Sequence, residues 1–314
     1  MSTGLVIGAV AAAFVPVHAE PTYDAFPAVV RMPSNELLVT LRSGSAHVSR
    51  DGRIVLARSR DGGATWSTRT IYDEPGVDDR AHLGLTRLRD GTLVLPFFKH
   101  DGTAPREPFL LRSRDGGRTW SAPTPLPAPG GPWRGVYGKP VELSSGTLLL
   151  ATYGNERAAI LRSTDGGRTW AQRATLENAT ETSIVPLDSR RLLALTRGAV
   201  GTGFQGIYQT RSNDRGRTWS RPRFVFPGVS PDVIRLRGGR LLACVADRGV
   251  LGILCRTSWK GRRWSAPSTL YASATTDFGY PASVAIGGGR LFTAFYGDTG
   301  DVVSVRWRAP GPAR

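Results

Sequence analysis

Several residue types and motifs are scarce in this sequence. It has two cysteines in 314 residues, and three lysines beside 38 arginines. No metal-ligand spacing and no phosphate-binding loop occurs, so we expect neither a metal ion nor a cofactor. No segment is long enough to cross a membrane without a charge or a proline, so we predict no transmembrane helix. The 40% apolar and 21% charged residues are instead typical of a folded protein with a large core.

The two cysteines, Cys244 and Cys255, say little about the cellular compartment. They would face each other across a hairpin whose turn is Gly249-Val250. A cross-strand disulfide is one outcome of this arrangement and two buried thiols are the other. We predict the thiols.

The formal net charge of +16 is the property that most suggests nucleic-acid binding. However, the arginines are scattered along the whole chain, and neither a nucleic-acid-binding motif nor a basic stripe with an aromatic platform accompanies them. We therefore predict no nucleic-acid partner. A field of this sign would attract a small anionic substrate equally well.

One eight-residue sequence is repeated along the chain, and we call each copy a box. The boxes are SRDGGATW at 59–66, SRDGGRTW at 113–120, STDGGRTW at 163–170, SNDRGRTW at 212–219 and a degenerate TSWKGRRW at 257–264. Their closing tryptophans are 54, 50, 49 and 45 residues apart. A motif that recurs in this way is needed once per structural unit, and the period is that of propeller blades.

A second repeat, an apolar run after a turn rich in Gly, Asp, Asn or Ser, predicts six β-hairpins. Its marker leucines are Leu37, Leu93, Leu148, Leu192, Leu241 and Leu291. The sequence therefore predicts one all-β domain over 1–314, a six-bladed β-propeller of four-stranded antiparallel blades. The blades are expected at about 24–75, 80–127, 135–177, 181–226, 230–272 and 278–308.

The sixth blade has no box and no fourth strand after Val302–Trp307. We predict that the apolar segment at about 13–18 supplies that strand and closes the ring. The competing interpretation is a secretory signal, GLVIGAVAAAFVPVHA, cleaved after Ala19, although the basic region of such a signal is missing. Cleavage would make the protein secreted, and otherwise we expect it in the cytoplasm.

Each box predicts a tight turn whose carboxylate accepts N–H bonds from its own loop and whose tryptophan packs between blades. The aspartates concerned, which we expect to be structural, are Asp61, Asp115, Asp165 and Asp214. The strand order places all boxes on one face, the lower face. Functional residues are then expected on the upper face, at the starts of inner strands, the ends of second strands and the loops that follow.

Counting from the marker leucines selects residues of the upper face. Eleven residues before them stand the ring positions, Phe26, His82, Tyr137, Glu181, Ser230 and Tyr280. Five residues after them stand Arg42, Phe98, Tyr153, Arg197, Ala246 and Tyr296, with Arg248 just beyond. A phenol, a carboxylate and several arginines therefore converge, and a carboxylate that takes the phenol proton makes tyrosine a nucleophile.

The boxes resemble those of the sialidase (neuraminidase) superfamily, whose members are six-bladed propellers. The resemblance covers about residues 24–307 and is specific for the fold, but much less so for activity. It implies that Tyr280 in FGYPASV is the nucleophile and that Glu181 in TETSIVPL activates it. It also implies that Arg197 after LLALT and Arg248 in ADRG belong to an arginine triad that holds a substrate carboxylate.

Other residues of the upper face are further candidates for substrate contacts. They are His82 and Tyr137, from the ring positions of the second and third blades.

Two residues of the family pattern are missing. The Arg-Ile-Pro motif that supplies the first triad arginine is Ala25-Phe26-Pro27 here, and Arg42 or Arg80 are the candidate replacements. The aspartate acid/base is expected in RSGSAHVSRDGRIVL, where His47 stands near its place and Asp51 is the fallback. Asp79 is a third candidate for the acid, unless it pairs with Arg80 on the surface.

The function predicted from these residues is exo-acting, retaining hydrolysis of a glycoside with an acidic or otherwise non-sialic sugar. One alternative is a non-catalytic propeller that binds glycans, which the two missing residues favour. Another is a lyase or isomerase in which Tyr280 and His47 are acid and base. We expect a monomer whose partner is a glycan or another small anionic molecule.

Overall fold

The computed structural model of the chain describes residues 13–18, 20, 22–101, 105–131, 134–198 and 206–309. Over these residues the strands form six antiparallel sheets, and the only helical segment is a 3-10 turn at Arg237–Gly239. The prediction of an all-β, six-bladed propeller is confirmed. No helix in this part of the chain is long and apolar enough to cross a membrane. The proposed cleavage site at Ala19 lies outside the described residues.

The chain builds its blades one after another from the inner strand outward. A short first strand, β1 (Val15–Pro16), precedes them. The first blade consists of β2 (Tyr23–Arg31), β3 (Leu37–Gly44), β4 (Arg53–Ser59) and β5 (Ser67–Tyr72). The second consists of β6 (Asp78–Arg80), β7 (Thr86–Arg87), β8 (Leu93–His100), β9 (Pro105–Ser113) and β10 (Thr124–Pro125). The third consists of β11 (Arg134–Glu142), β12 (Leu148–Gly154), β13 (Arg157–Ser163) and β14 (Ala171–Glu177).

The remaining blades repeat the order. The fourth blade consists of β15 (Ala179–Pro186), β16 (Leu192–Gly198), β17 (Ile207–Ser212) and β18 (Arg223–Phe226). The fifth consists of β19 (Val229–Arg235), β20 (Arg240–Asp247), β21 (Gly252–Trp259) and β22 (Ser268–Ala272). The sixth consists of β23 (Gly279–Gly287), β24 (Arg290–Tyr296) and β25 (Val302–Arg308), joined by β1. In the second blade the inner strand is split into β6 and β7, both paired with β8, and the gap contains the ring position His82.

The N-terminal strand closes the ring, as predicted. Strand β1 pairs antiparallel with β25, with Val15 opposite Ser304 and Pro16 opposite Val303. The amide of Val17 also donates to the carbonyl of Val302 at 2.8 Å. The sixth blade therefore takes its outermost strand from the beginning of the chain, and sheet hydrogen bonds join the two ends of the propeller.

The four boxes that contain an aspartate are tight turns held by their own carboxylates. Asp115 accepts hydrogen bonds from the amides of Arg118 and Thr119 and from the hydroxyls of Ser113 and Thr119, at 2.6–2.9 Å. The bond from the Thr119 hydroxyl is the largest effect that holds the pKa of Asp115 well below its ordinary value. The same bonds recur around Asp61, Asp165 and Asp214.

Apolar side chains are buried mainly between successive blades. The described residues form six buried clusters. Five of them join two neighbouring blades, and the remaining one joins the first and sixth blades and also includes Leu83 and Tyr137. The box tryptophans belong to these interfaces: the ring of Trp66 lies 5.8 Å from Phe292 of the sixth blade, and that of Trp264 lies 5.6 Å from Phe226 of the fourth. Burial of apolar surface at each interface stabilises the ring of blades.

Arginines join blades to the box of the next blade. The residue before the box serine is arginine in every complete box, and three of these guanidinium groups donate to a backbone carbonyl of the following box. The donor and acceptor pairs are Arg58 with Gly116, Arg112 with Gly166, and Arg211 with Gly261. Because guanidinium has five donors and no acceptor, it suits the exposed carbonyls of a turn. Part of the arginine excess is therefore structural.

Cys244 and Cys255 form a disulfide, so the prediction of two buried thiols is wrong. The two residues stand directly opposite each other on β20 and β21, with Cα atoms 4.1 Å apart. Side chains of such a pair leave the sheet on the same face at close distance, so the hairpin alone brings the sulfurs together.

Replacing Asp115 with alanine should lower thermal stability, because it removes the acceptor of the turn amides. We expect the melting temperature to fall by about 2–4 °C, while any turnover per folded molecule stays the same. The control is Arg114→Ala in the same box, which changes an exposed, variable side chain and should leave the melting temperature nearly unchanged. A large loss of turnover with normal melting of Asp115→Ala would instead place the box in the functional site.

Candidate active site

The inner strands lose regular pairing near the ring positions. The pairing register shifts between Ala25 and Ala28, Tyr137 and Val141, Ala179 and Thr182, Val229 and Asp232, and Gly279 and Ala282. Phe26, Ser230 and Tyr280 have φ of 57°, 55° and 52°, a left-handed conformation that costs a non-glycine residue about 1–2 kcal/mol. Bulges of this kind change the direction of a side chain. Here they accompany the convergence of the ring residues at one end of the propeller axis.

Aromatic ring residues cluster at the upper end of the propeller axis, and we call this end the funnel and the cluster its floor. The ring of Phe26 lies 4.2 Å from that of His82 and 4.8 Å from that of Tyr280, and the ring of Tyr137 lies 6.0 Å from Tyr280. Phe26 and Tyr137 are buried, whereas Tyr280 is half-buried. Of this group, Tyr280 is thus the side chain that the funnel exposes most.

Glu181 is the polar centre of the funnel. Its Oε1 accepts a hydrogen bond from the phenol of Tyr280 at 2.5 Å. Its Oε2 accepts from the amide of Ser230 at 3.1 Å and lies 3.4 Å from the guanidinium of Arg197. Glu181 is 4% exposed, and its carboxylate is stabilised by these donors from three blades.

Tyr280 keeps its proton in this environment. Burial raises the pKa of Tyr280 well above its ordinary value, and the charge of Glu181 acts in the same direction, whereas Arg197 acts against them. The phenol is therefore neutral, and an acceptor for its proton is already in hydrogen-bond contact. This arrangement suits a nucleophile that loses its proton as it attacks.

Two predicted arginines remain partly open to solvent. The side chain of Arg197 is 23% exposed, and the charge of Glu181 raises its pKa. Arg248 is exposed beyond the end of β20, and its positive charge acts on Tyr296 at the end of β24. Both cations therefore belong to the same end of the propeller as Tyr280.

Ala25 stands where the Arg-Ile-Pro pattern has its arginine, and the two candidate replacements, Arg42 and Arg80, are buried. Arg42 is fully buried and donates to Asp78 at 2.7 Å and to the loop at 46–49. Arg80 is 6% exposed, pairs with Asp78 at 2.7 Å, and places its guanidinium 5.3 Å from the centre of the Phe26 ring. Both side chains hold the first-blade loop in position.

Asp79 lies on the opposite side of its strand from Arg80, so the surface pair considered as one alternative does not form. Because side chains alternate along a strand, Asp78 shares a face with Arg80 and takes its place in the ion pair. Asp79 is fully buried and accepts the amide of Glu74 at 2.9 Å, while its Oδ1 has no partner among the described residues. Burial raises the pKa of Asp79 to about 7.

His47 stands at the edge of the funnel, on the loop between β3 and β4. Its side chain is 40% exposed, and its ring lies 5.4 Å from Phe26 and 6.2 Å from Tyr296. Burial lowers the pKa of His47; the nearby Asp277 opposes this shift, and the buried arginines of the first two blades add to it. An imidazole with this exposure is accessible to a bound molecule.

Asp51, the fallback acid, is exposed and tied to its own loop. It accepts the amide of Ser45 at 3.1 Å and the hydroxyl of the same residue at 3.0 Å. Hydrogen bonds, with Ser49 the largest cause, lower the pKa of Asp51 to about 2. Asp51 is therefore ionised at neutral pH and a poor proton donor.

His82 and Tyr137 lie beneath the open surface. His82 is 4% exposed, and neither of its ring nitrogens has a hydrogen-bond partner within the described part of the chain. Burial holds the pKa of His82 well below its ordinary value, so the ring is neutral. Tyr137 donates to the carbonyl of Pro231 at 3.2 Å. In the structure both side chains support the floor on which Tyr280 rests.

An ion pair fixes three inner strands near this floor. The Nζ of Lys139 lies 3.2 Å from the carboxylate of Asp232 and donates to the carbonyl of Ser283 at 2.9 Å. Asp232 in turn accepts the amide of Ser283 at 2.6 Å. Strands β11, β19 and β23 are thereby joined, and the last of them carries Tyr280.

Two residues beside His47 were not identified from the sequence. The phenol of Tyr23 donates to Oδ2 of Asp277 at 2.7 Å, and Nδ1 of His47 lies 2.8 Å from the same phenol oxygen. A signal for them was present, since Tyr23 and Asp277 each stand three residues before a ring position, Phe26 or Tyr280. They are therefore equivalent positions of neighbouring blades. No group of three or more His, Cys, Asp or Glu able to hold a metal occurs in the residues that the structure covers.

The chain is similar to proteins of known family and structure. A family model described as a BNR repeat-like domain matches residues 85–293. No curated protein matches the sequence significantly. A protein of unknown function from Dyadobacter fermentans superposes with a TM-score of 0.81 at 22% identity, over 94% of this chain and 98% of that one.

Solved sialidases also share the fold. The Hadza microbial sialidase Hz136 has a TM-score of 0.75 at 20% identity, over 91% of this chain and 66% of its own. The NanB sialidase from Streptococcus pneumoniae has a TM-score of 0.76 at 14% identity, over 94% of this chain and 70% of its own. This chain thus spans about two thirds of each of these sialidases, and at these identities the similarity is one of fold.

Asp79→Asn should change how stability depends on pH. The folded protein keeps a proton on Asp79 up to about pH 7, whereas the unfolded chain releases it near the ordinary value of 3.8. Burial of Asp79 therefore costs increasing stability as the pH rises from about 4 to 7. The uncharged variant should have a higher free energy of unfolding than the wild type at pH 8, by up to about 4 kcal/mol. Denaturant unfolding at pH 5 and 8 measures this, and a difference that is equal at both pH values would contradict it.

Proposed function

The chain belongs to the family of BNR repeat-like domains, and on that basis we propose that it is a sialidase-like glycoside hydrolase. The enzyme removes a terminal sugar with retention of configuration, through a covalent intermediate on Tyr280. The observation that carries the proposal is the 2.5 Å hydrogen bond from the half-buried Tyr280 phenol to Glu181. A tyrosine that merely filled a propeller core would not need a buried carboxylate as its partner.

In the first step the Tyr280 oxygen bonds to the anomeric carbon as the bond to the leaving oxygen breaks. The phenol proton passes to Oε1 of Glu181, and a general acid protonates the leaving oxygen. The Ser230 amide and the Arg197 guanidinium contact Oε2. Of these three groups, only the Tyr280 phenol contacts Oε1, the oxygen that receives the proton. In the second step water attacks the anomeric carbon and Tyr280 recovers its proton from Glu181.

The substrate is an acidic or otherwise non-sialic sugar. A sugar with a carboxylate on the anomeric carbon would need several cations around that carbon, and Ala25 stands where one of them is expected. Arg42 is buried and already bonded. Arg197 and Arg248 remain available, which suits an acidic group elsewhere on the sugar or a hydroxyl-rich neutral ring.

The second candidate is a propeller that binds glycans without cleaving them. The buried Ala25 at the place of the first arginine favours this candidate, because it lacks a contact that the sialidase pattern supplies. The two candidates differ in whether Tyr280 is consumed and regenerated during turnover.

Tyr280→Phe should bind the substrate but lose turnover by about 10³-fold or more, because only the nucleophilic oxygen is removed. Glu181→Gln should lose about 10²–10⁴-fold, because the amide cannot take the phenol proton. The losses should be far from additive in the double variant, since both changes disable one unit. A panel of aryl glycosides, including the sialic acid one, identifies the sugar on which these rates are measured.

The matched control is Tyr72→Phe. Tyr72 also donates its phenol proton to a glutamate, Glu74, at 3.1 Å, but it lies on the outermost strand of the first blade. Its replacement should leave turnover unchanged. Hydrolysis by Tyr280→Phe at the wild-type rate would refute the mechanism, and binding of glycans without hydrolysis of any glycoside by the wild type would favour the binding propeller.

A further inference from the structure

A three-residue hydrogen-bonded group lies at the edge of the funnel, where the first and sixth blades meet. The phenol of Tyr23 donates to Oδ2 of Asp277 at 2.7 Å. Nδ1 of His47 lies 2.8 Å from the phenol oxygen and 3.3 Å from Oδ1 of Asp277. Both of these polar contacts of the His47 imidazole therefore involve Nδ1.

These contacts decide which nitrogen of His47 carries the proton. A carboxylate can only accept hydrogen bonds, so the Tyr23 hydroxyl uses its one hydrogen to donate to Asp277. The phenol oxygen then accepts from His47, which requires a hydrogen on Nδ1. In the neutral imidazole Nε2 is consequently a lone-pair base, and in the imidazolium Nε2–H is an acid.

The position of His47 relative to Tyr280 suits a bound sugar. Both rings touch Phe26, at 5.4 and 4.8 Å between centroids, and both lie near Tyr296, at 6.2 and 6.1 Å. Phe26 and Tyr296 are fully buried, whereas His47 and Tyr280 are partly exposed. The imidazole and the phenol thus contact the same buried aromatic rings, and both remain partly open to solvent.

We propose that Asp277 and Tyr23 are positioning residues that orient His47 as the general acid and base of the hydrolysis. This inference rests on the proposed function and assigns the proton donor that the missing aspartate leaves open. In the first step Nε2–H of the imidazolium protonates the leaving oxygen while Tyr280 takes the sugar. In the second step neutral Nε2 removes a proton from the attacking water, and the imidazolium is restored.

The charges around His47 set the pH range of this role. Burial is the largest effect and lowers the pKa of His47, Asp277 opposes the shift, and Arg80 and Arg42 reinforce it. The pKa therefore lies below its ordinary value of about 6.5. The acid form is needed for the first step, so kcat/KM should fall as the pH rises through that pKa.

The other carboxyl groups considered for this step do not fit it. Asp51 is ionised at neutral pH because hydrogen bonds lower its pKa to about 2. Asp79 is fully buried on the far face of its strand. Asp277 itself is engaged by Tyr23 and His47, so its role is exerted through the imidazole.

The leaving group provides the decisive test. The sugar identified in the aryl-glycoside panel is offered as its 2,4-dinitrophenyl glycoside, whose leaving group needs no acid, and as its methyl glycoside, which does. His47→Ala should lose about 10²–10⁴-fold on the methyl glycoside and less than about tenfold in the glycosylation step of the dinitrophenyl glycoside, measured by the burst. Equal losses on both substrates would overturn the proposal.

Asp277→Asn tests the positioning role through the pH profile. Loss of the carboxylate charge should move the alkaline limb of kcat/KM to lower pH by roughly one unit, and Asp277→Glu should restore part of the shift. The matched control is Asp301→Asn, in the turn between β24 and β25. It also removes one negative charge, and among the described side chains Asp301 accepts a hydrogen bond only from the Thr299 hydroxyl. Its alkaline limb should stay in place. An unchanged limb in Asp277→Asn would overturn the proposal.

A titration without substrate separates this inference from the proposed function. Histidine NMR of the folded Asp277→Asn variant should show a lower pKa of His47 than in the wild type, and an equal pKa would contradict the positioning role. If Tyr280→Phe abolishes turnover but His47→Ala shows no leaving-group dependence, only the acid assignment fails. If Tyr280→Phe retains full turnover, the proposed function fails and this inference with it.

Discussion

The buried carboxylate of Glu181 connects three blades at the axis of the propeller. It belongs to the fourth blade, accepts the Ser230 amide of the fifth, and accepts the Tyr280 phenol of the sixth. Neighbouring blades otherwise meet through apolar clusters, which are non-directional and do not aim individual atoms. Hydrogen bonds are directional, so Glu181 and the Lys139–Asp232 pair near the floor determine where the phenol oxygen lies. The proposed nucleophile depends on the same carboxylate for its position and for the removal of its proton.

The two faces of the propeller use the repeat in opposite ways. On the lower face the four boxes with an aspartate satisfy their own turns, and arginines from preceding blades donate to carbonyls of three boxes, so the same residues recur. On the upper face the six ring positions are occupied by five different residue types, with tyrosine alone occurring twice. Three of the six ring residues have a strained left-handed backbone conformation. Strain of this kind persists only where the surroundings hold it, and it is common at functional sites. The boxes supply a rigid frame, and the upper face is free to differ from blade to blade.

The junction of the first and sixth blades is joined at two levels. Strand β1 pairs with β25 at the outer edge, and the Tyr23–Asp277 hydrogen bond joins the same two blades at the upper face. His47 is attached to this second link through Nδ1. The residue assigned as acid thus stands at the place where the ring closes, and its orientation depends on contacts between residues more than 200 positions apart.

The periodic features of the fold could be predicted from the sequence alone. Box spacing, marker leucines and the absence of a fourth strand in the sixth blade are local patterns, and they predicted six blades and closure by residues 13–18. Counting along the same repeat also selected Tyr280 and Glu181, which the structure brings to 2.5 Å, because equivalent positions of every blade approach one axis.

Tertiary structure decided which polar groups pair. It buried Arg42 against Asp78, turned Asp79 away from Arg80, joined Cys244 to Cys255, and placed Asp277 beside His47. Sequence shows which charges and thiols are present. Their partners, however, depend on strand alternation, loop path and burial, since an unpaired buried charge is too costly to remain and must find whatever donor or acceptor the folded chain brings near.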